Sequence, residues 1–202
     1  MGWAQTVARP GGLVTGLFLP DANYGKYFKL LKEVRPKETR FGTLLNAANP
    51  AATNIRKALQ IVAVRLSIDI QHVEISDQSQ LPDAFSELVS RAVQGVVIHP
   101  DPVLISNHAI IVALARQHGL PSVADDREFA VKGGLFSLSA DYPALLKRSA
   151  WYVDRILKGE NPGDLPAEEA REFKLTVNLK AAQELGLIIP STIFARADEV
   201  IG

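Results

Sequence analysis

Short apolar runs that end in polar or proline-containing turns recur along this chain, with stretches of helical periodicity between them. Leu13–Leu19 predicts a strand, ended by Pro20-Asp21. Tyr27, Leu30, Leu31 and Val34 fall on one face of a helix predicted from about Asn23 to Val34. Arg35-Pro36 stops it, because the residue before a proline is pushed out of the α region. Further strands are predicted at Phe41–Leu45, Ile70–Ile75, Val96–Ile98 and Ser122–Ala124. The helices between them run from about Ala51 to Leu66, Leu81 to Ala92 and Val103 to His118, the last followed by a C-terminal Gly119. Strands separated by helices of this length imply right-handed βαβ units, a parallel sheet and an α/β fold.

From residue 132 the texture changes. Lys132-Gly133-Gly134 breaks the pattern, and Leu135–Leu138 gives one more strand. Asp141 can cap a long helix from about Tyr142 to Lys158, and Gly159-Glu160-Asn161-Pro162-Gly163 opens a polar linker to Arg171. Phe173–Val177 is a last strand, Leu179–Leu185 a short helix, and Pro190–Ala197 a final turn or helix.

Composition narrows the functional classes. With 22 basic and 22 acidic residues among 202, the chain has no net charge and no basic stripe, so no nucleic-acid partner is expected. The absence of cysteine excludes disulfides and thiolate metal sites. No apolar run approaches the roughly 18 residues of a membrane span. The start, Met1-Gly2-Trp3-Ala4-Gln5-Thr6, lacks the basic and apolar segments of a secretory signal.

Candidate binding residues cluster where strands give way to helices, since in an open parallel sheet these junctions share the ligand-binding edge. Asn46-Ala47-Ala48-Asn49-Pro50 reads as an N-cap followed by proline at the first helical position. Asn46 and Asn49 can present amides to a ligand, or Asn49 can simply cap the helix. In His99-Pro100-Asp101-Pro102, Asp101 can cap a helix, pair with a ligand ammonium group, or do both, and His99 adds a donor or acceptor. Asp125, Asp126, Arg127 and Glu128 form a charged cluster in which at least two members are expected to be solvated or mutually paired, leaving one for a ligand. Ser137, Ser139, Asp141 and Tyr142 form a fourth polar group near a strand end.

Nothing in the sequence points to catalysis, a cofactor or a metal. His72, His99, His108 and His118 lack metal-ligand spacing, and no nucleophile elbow, phosphate loop or dinucleotide fingerprint is present.

Together, several segments resemble one family. Ala8-Arg9-Pro10-Gly11-Gly12-Leu13-Val14-Thr15-Gly16 resembles the ARPGGNVTG segment of ABC-transporter substrate-binding proteins. Leu30-Leu31-Lys32-Glu33-Val34, Asn46 to Pro50, Arg127-Glu128-Phe129, Gly133-Gly134-Leu135, Tyr152 to Gly159, Asn178 to Ala182 and Ala195 to Ile201 continue the likeness. The chain is similar to the branch that includes tryptophan- and tyrosine-binding lipoproteins. The resemblance implies a periplasmic-binding-protein-like fold with two hinged α/β lobes closing on a small molecule, and no enzymatic activity. Residues 1–36 with 131–170 would form a partial first lobe, lacking its opening βα units and a signal peptide. Residues 37–130 with 171–202 would form a complete second lobe.

The implied site joins Asn46, Asn49, His99, Asp101, Asp125, Arg127 and Glu128 to Ser137, Ser139 and Tyr142. Asp101 would meet a ligand ammonium, and the helix start after Asn49 its carboxylate. The loop reads His-Pro-Asp-Pro, however, where that branch carries a polar Thr-Asp-Asn type. The implied partners are a small solute and an ABC permease. By family the location is periplasmic or at the cell envelope, whereas the chain as written carries no export address and would be cytoplasmic. Apolar faces left uncovered in the partial lobe imply self-association, with exchange of that lobe between two copies as one route. The alternatives are a truncated remnant that no longer binds, the sensor core of a regulator, and an α/β enzyme using His99 and the acidic cluster.

Overall fold

The apolar runs form buried strands flanked by helices, and their order in the sheet departs from their order in the chain. The computed structural model describes residues 5–19 and 24–202. In chain order the strands are β1 (Leu17–Phe18), β2 (Arg40–Asn46), β3 (Asp69–Ile75), β4 (Val96–Ile98), β5 (Ser122–Ala124), β6 (Phe136–Ala140), β7 (Glu168–Glu169), β8 (Phe173–Asn178) and β9 (Glu199–Ile201). The helices are α1 (Tyr24–Val34), α2 (Ala52–Leu66), α3 (Leu81–Ser90), α4 (Pro102–Ser106), α5 (His108–Gln117), α6 (Arg127–Val131), α7 (Tyr142–Leu157), α8 (Leu179–Glu184) and α9 (Ser191–Phe194). By contacts the described residues divide into a smaller unit, 5–19 with 140–173, and a larger one, 24–139 with 174–202.

The larger unit is built on a seven-stranded sheet of order β3-β2-β4-β5-β6-β8-β9. The pairs β2–β3, β2–β4, β4–β5, β5–β6 and β8–β9 are parallel. Every residue of β4 and β5 is buried, as expected for short central strands covered on both faces. On one face α1 lays Phe28 edge-on against Phe41 of β2, with ring centroids 6.4 Å apart. On the other face Phe85, Leu88, Ile111, Val112 and Phe129, from α3, α5 and α6, pack onto Leu44, Val96 and Ile98. Gly134 precedes β6 because a side chain there has no room: a Cβ would lie 2.2 Å from the Phe129 ring. Both outer strands carry paired charges, Asp69 and Glu74 of β3 with Arg40 and Arg56, and Glu199 of β9 with Arg127.

Several sequence expectations need correction. The helix expected from Val103 to His118 is two helices, α4 and α5. They part at Asn107, whose backbone leaves the helical region and whose Nδ2 donates to the Val103 carbonyl at 2.7 Å. The strand expected at Leu13–Leu19 shrinks to Leu17–Phe18, because β7 offers only Glu168 and Glu169 as partners and Gly16 turns with φ 136°. The part of the predicted helix at Asn23 lies outside the described residues. Three elements went unforeseen: α6, inside the charged cluster, β7, inside the expected polar linker, and the short strand β9. Helix α1 and Ser137 and Ser139 of β6, expected in the first lobe, group with the larger unit, where α1 is fastened by its aromatic packing on β2.

The smaller unit holds the parallel pair β1–β7 and the helix α7. Asp141 caps α7, its Oδ1 accepting from the Ala144 N–H at 3.0 Å. Tyr152 donates its hydroxyl to the Pro166 carbonyl at 2.7 Å, while Arg148 pairs with Glu168 and stacks 4.0 Å above the Trp151 ring. An open groove of about 720 Å³ lies among Leu17, Phe18, Leu145, Arg148 and Glu168.

The core of the larger unit gives a direct stability test. Phe85 is fully buried among Leu44, Leu88 and Ile111. Phe85→Ala is expected to lower unfolding free energy by about 3–5 kcal/mol in urea titrations followed by circular dichroism.

Candidate functional site

Strand β2 pairs with both β3 and β4, so the chain winds outward in opposite directions from this point. Loops leaving the carboxyl ends of β2 and β4 therefore diverge, and such a switch point opens a crevice for ligands. Asn46 ends β2 and Asn49 lies in the turn beyond it, while His99 and Asp101 follow β4.

The structure joins three of these residues into one network. Asn46 Nδ2 donates to Asp101 Oδ1 and Asn49 Nδ2 to Asp101 Oδ2, each at 2.9 Å. The Val103 N–H also donates to Asp101 Oδ1 at 2.9 Å, so the same carboxylate caps α4. The amide oxygens of Asn46 and Asn49 accept from the N–H groups of Ala48 and Ala51 at 2.9 and 2.8 Å. Every member is thus fixed in orientation, and Asp101 is only 4% exposed. Three of the roughly four acceptor directions of its carboxylate are filled, leaving one for a ligand donor. Asn49 caps the turn through Pro50 and Ala51, and α2 itself starts at Ala52 without a side-chain cap. The Ala52 N–H bonds the Asn49 carbonyl, so the N–H groups expected to receive a ligand carboxylate are partly used at home.

His99 lies under this edge. It is 2% exposed, packs edge-on against Tyr24 with ring centroids 4.7 Å apart, and neither ring nitrogen has a hydrogen-bond partner. Burial pushes its pKa down to about 3, and the neighbouring His72 adds to the depression. His72 is shifted down as well, chiefly by burial. His99 therefore stays a neutral imidazole at any physiological pH.

The charged cluster after β5 separates into distinct parts. Asp126 caps α6, accepting from the Glu128 N–H at 3.0 Å, and stands 3.6 Å from Nδ1 of buried His108. Arg127 is engaged with Glu199 of β9, Nε to Oε2 at 2.7 Å, and with Glu128. Asp125 remains half-buried with no cation beside it, and burial raises its pKa to about 6, with a further push from Asp126. Ser137 and Ser139 are buried in β6, and Ser137 Oγ has no hydrogen-bond partner. Tyr142 opens α7 in the smaller unit.

Sequence reasoning missed Tyr24 and His72 as neighbours of His99. The register explains His72: Thr43 lies opposite His72 and beside Val97, and alternate residues share a sheet face, so His72 and His99 point to the same side, an arrangement that no sequence pattern carries.

The chain matches the model of the family described as ABC transporter substrate binding protein over residues 2–201. It is 23% identical over 201 residues to a tyrosine-binding protein of Clostridioides difficile, covering 98% of this chain and 58% of that one. A conserved domain protein from Vibrio cholerae superposes with a TM-score of 0.85 at 25% identity, covering 98% of this chain and 66% of the other. An ABC domain in complex with L-Trp from Streptococcus pneumonia gives 0.84 at 22% identity, covering 98% and 68%. The chain thus spans little more than half the length of its tyrosine-binding relative and about two thirds of these structures. The shared fold is periplasmic-binding-protein-like. No helix among the described residues is long and apolar enough to cross a membrane.

The unpartnered imidazole has a measurable consequence. Folding holds His99 neutral, whereas the unfolded chain takes up a proton near its ordinary value of 6.5, so this residue removes stability as pH falls from there toward about 3. Thermal unfolding of wild type and His99→Phe across that range is expected to show wild type losing ground steadily at low pH, with a constant difference above neutrality.

Proposed function

The chain belongs to the ABC transporter substrate-binding protein family, and we propose that the switch-point edge of its larger unit binds a small amino-acid-like solute through the solute's ammonium group. The observation that carries this reading is the fixed Asn46–Asn49–Asp101 network. A carboxylate whose orientation is set before the ligand arrives costs no reorganisation on binding. Asp125, a second carboxylate at the end of the neighbouring strand, adds negative charge without a counter-cation, while Arg127 is already occupied by Glu199. The edge therefore favours a cationic or zwitterionic group over a simple anion.

The tyrosine-binding relative and the L-Trp-bound structure support an amino-acid-like ligand. The family is a substrate-binding type and not an enzyme class. In an import system, delivery of the solute to a membrane permease would complete the role.

Differential scanning fluorimetry and calorimetric titration with L-tyrosine, L-tryptophan, a matched amine lacking the carboxylate and a matched acid lacking the amine test the reading. Amine-bearing compounds should stabilise the protein, because a ligand preferring the folded state raises its stability. Asp101→Ala should weaken binding about 10- to 100-fold, the usual worth of a hydrogen bond to a charged group. Stabilisation by the acid alone, or undiminished binding by Asp101→Ala, would sink it.

A further inference from the structure

Beside the Asp101 network, the strand register brings a second pair of polar side chains together. Val97 of β4 lies opposite Val123 of β5. Two residues further along each strand stand His99 and Asp125, on the face of those valines, because alternate residues share a sheet face. The His99 N–H still bonds the Leu44 carbonyl of β2 at 3.4 Å, so the ladder runs on to this level. Packing agrees with the alternation. Ile98 and Ala124 join the core under α3, α5 and α6, and Asp126 stands near His108 of α5 on that side. His99 meets Tyr24 of α1 on the other side.

Neither member of the pair satisfies its neighbour. His99 is buried, and neither ring nitrogen has a hydrogen-bond partner. Burial keeps the ring neutral, so it brings no positive charge to Asp125. Asp125 is half-buried and forms no ion pair among the described residues. Its own backbone N–H favours the charged carboxylate, while burial and the like charge of Asp126 oppose it. Arg127, two positions on, is held by Glu199 and Glu128. A carboxylate partly withdrawn from water with no cation at hand is stabilised by taking one from solution. The imidazole stands one strand spacing away, about 4.8 Å, and offers a second acceptor on the same face. Buried polar groups without a partner are rare, and a ligand donor gives this one a reason.

Asp101, fixed by two amides and a backbone N–H, keeps one acceptor direction on the β4 loop. The edge thus presents carboxylates from the ends of two neighbouring strands. We propose that Asp125, with neutral His99 beside it, is a second cation-receiving position of this edge, so that the preferred solute carries two protonated nitrogens, one for Asp101 and one for Asp125. This position takes the ammonium site at Asp101 as given and narrows the solute to a dibasic amino acid or a simple diamine.

Calorimetric titration near neutral pH with L-lysine, L-norleucine, cadaverine and n-pentylamine tests this, since each pair differs by one terminal amine. Wild type is expected to bind the dibasic member of each pair about 10- to 100-fold more tightly, the worth of a hydrogen bond to a charged group. Asp125→Asn should close that gap and leave the monoamines unchanged, whereas Asp101→Ala should weaken all four. Tighter binding of L-lysine than of cadaverine identifies the solute as an amino acid, and the reverse order as a diamine. A second readout needs no variant. Near pH 6 the Asp125 carboxyl is partly protonated, and an arriving cation favours its charged form. L-lysine should therefore release protons there, measured in buffers of different ionisation enthalpy, and L-norleucine should release none. Equal affinity within each pair, a gap that persists in Asp125→Asn, or no proton release would overturn the second position and leave the Asp101 reading standing. Failure of every amine to bind would remove both.

Discussion

One constraint organises the larger unit: β2 is hydrogen-bonded on both sides, to β3 and to β4, before any other strand is placed. Because each crossover is right-handed, the connection from β2 out to β3 and the connection from β3 back to β4 cover opposite faces of the sheet. Helices α2 and α3 are thereby driven onto different sides, and the loops after β2 and β4 are left without a helix between them. Asp101 uses that gap. It holds both asparagines of the β2 loop while capping α4, so one carboxylate ties two strand ends to a helix start. Backbone topology makes the crevice, and a side-chain network fixes its edge.

Strong periodicity made most of this unit legible from residues alone. Strands β2 to β5 and helices α1 to α3 follow from apolar runs and helical spacing, and both read correctly because many positions agree. Short elements were hidden. Strand β9 has three residues, and its place is set by its pairing with β8, from Thr176 opposite Glu199 to Asn178 opposite Ile201. Helix α6 was masked by the charges around it, which suggested solvated chain when Asp126 was serving as its cap. At the site, residue types and positions were visible, but sheet order was not, and only that order makes Asn46, Asn49 and Asp101 neighbours. The burial of His99 was equally unreadable, since it depends on Tyr24 packing from α1.

The smaller unit obeys the same physics with fewer partners. Its two-stranded parallel sheet is far below what normally supports such pairing, because parallel strands depend on cover from both faces. Arg148 compensates locally by bonding Glu168 of β7 while stacking on Trp151, which fastens the helix to the sheet through one cation. Leu146, Val153 and Leu157 of α7 stay exposed.

The paired charges on the outer strands of the larger sheet have a consequence for how the protein behaves when crowded. An unpaired strand edge is a template for indefinite addition, and natural sheets blunt it with charge. Asp69 and Glu74 guard β3, and Glu199 and the last three-residue strand guard the opposite end. Fibril-like growth from either side of that sheet would have to strip carboxylates of their arginine partners and bring like charges together. Ladder polymerisation is thereby disfavoured.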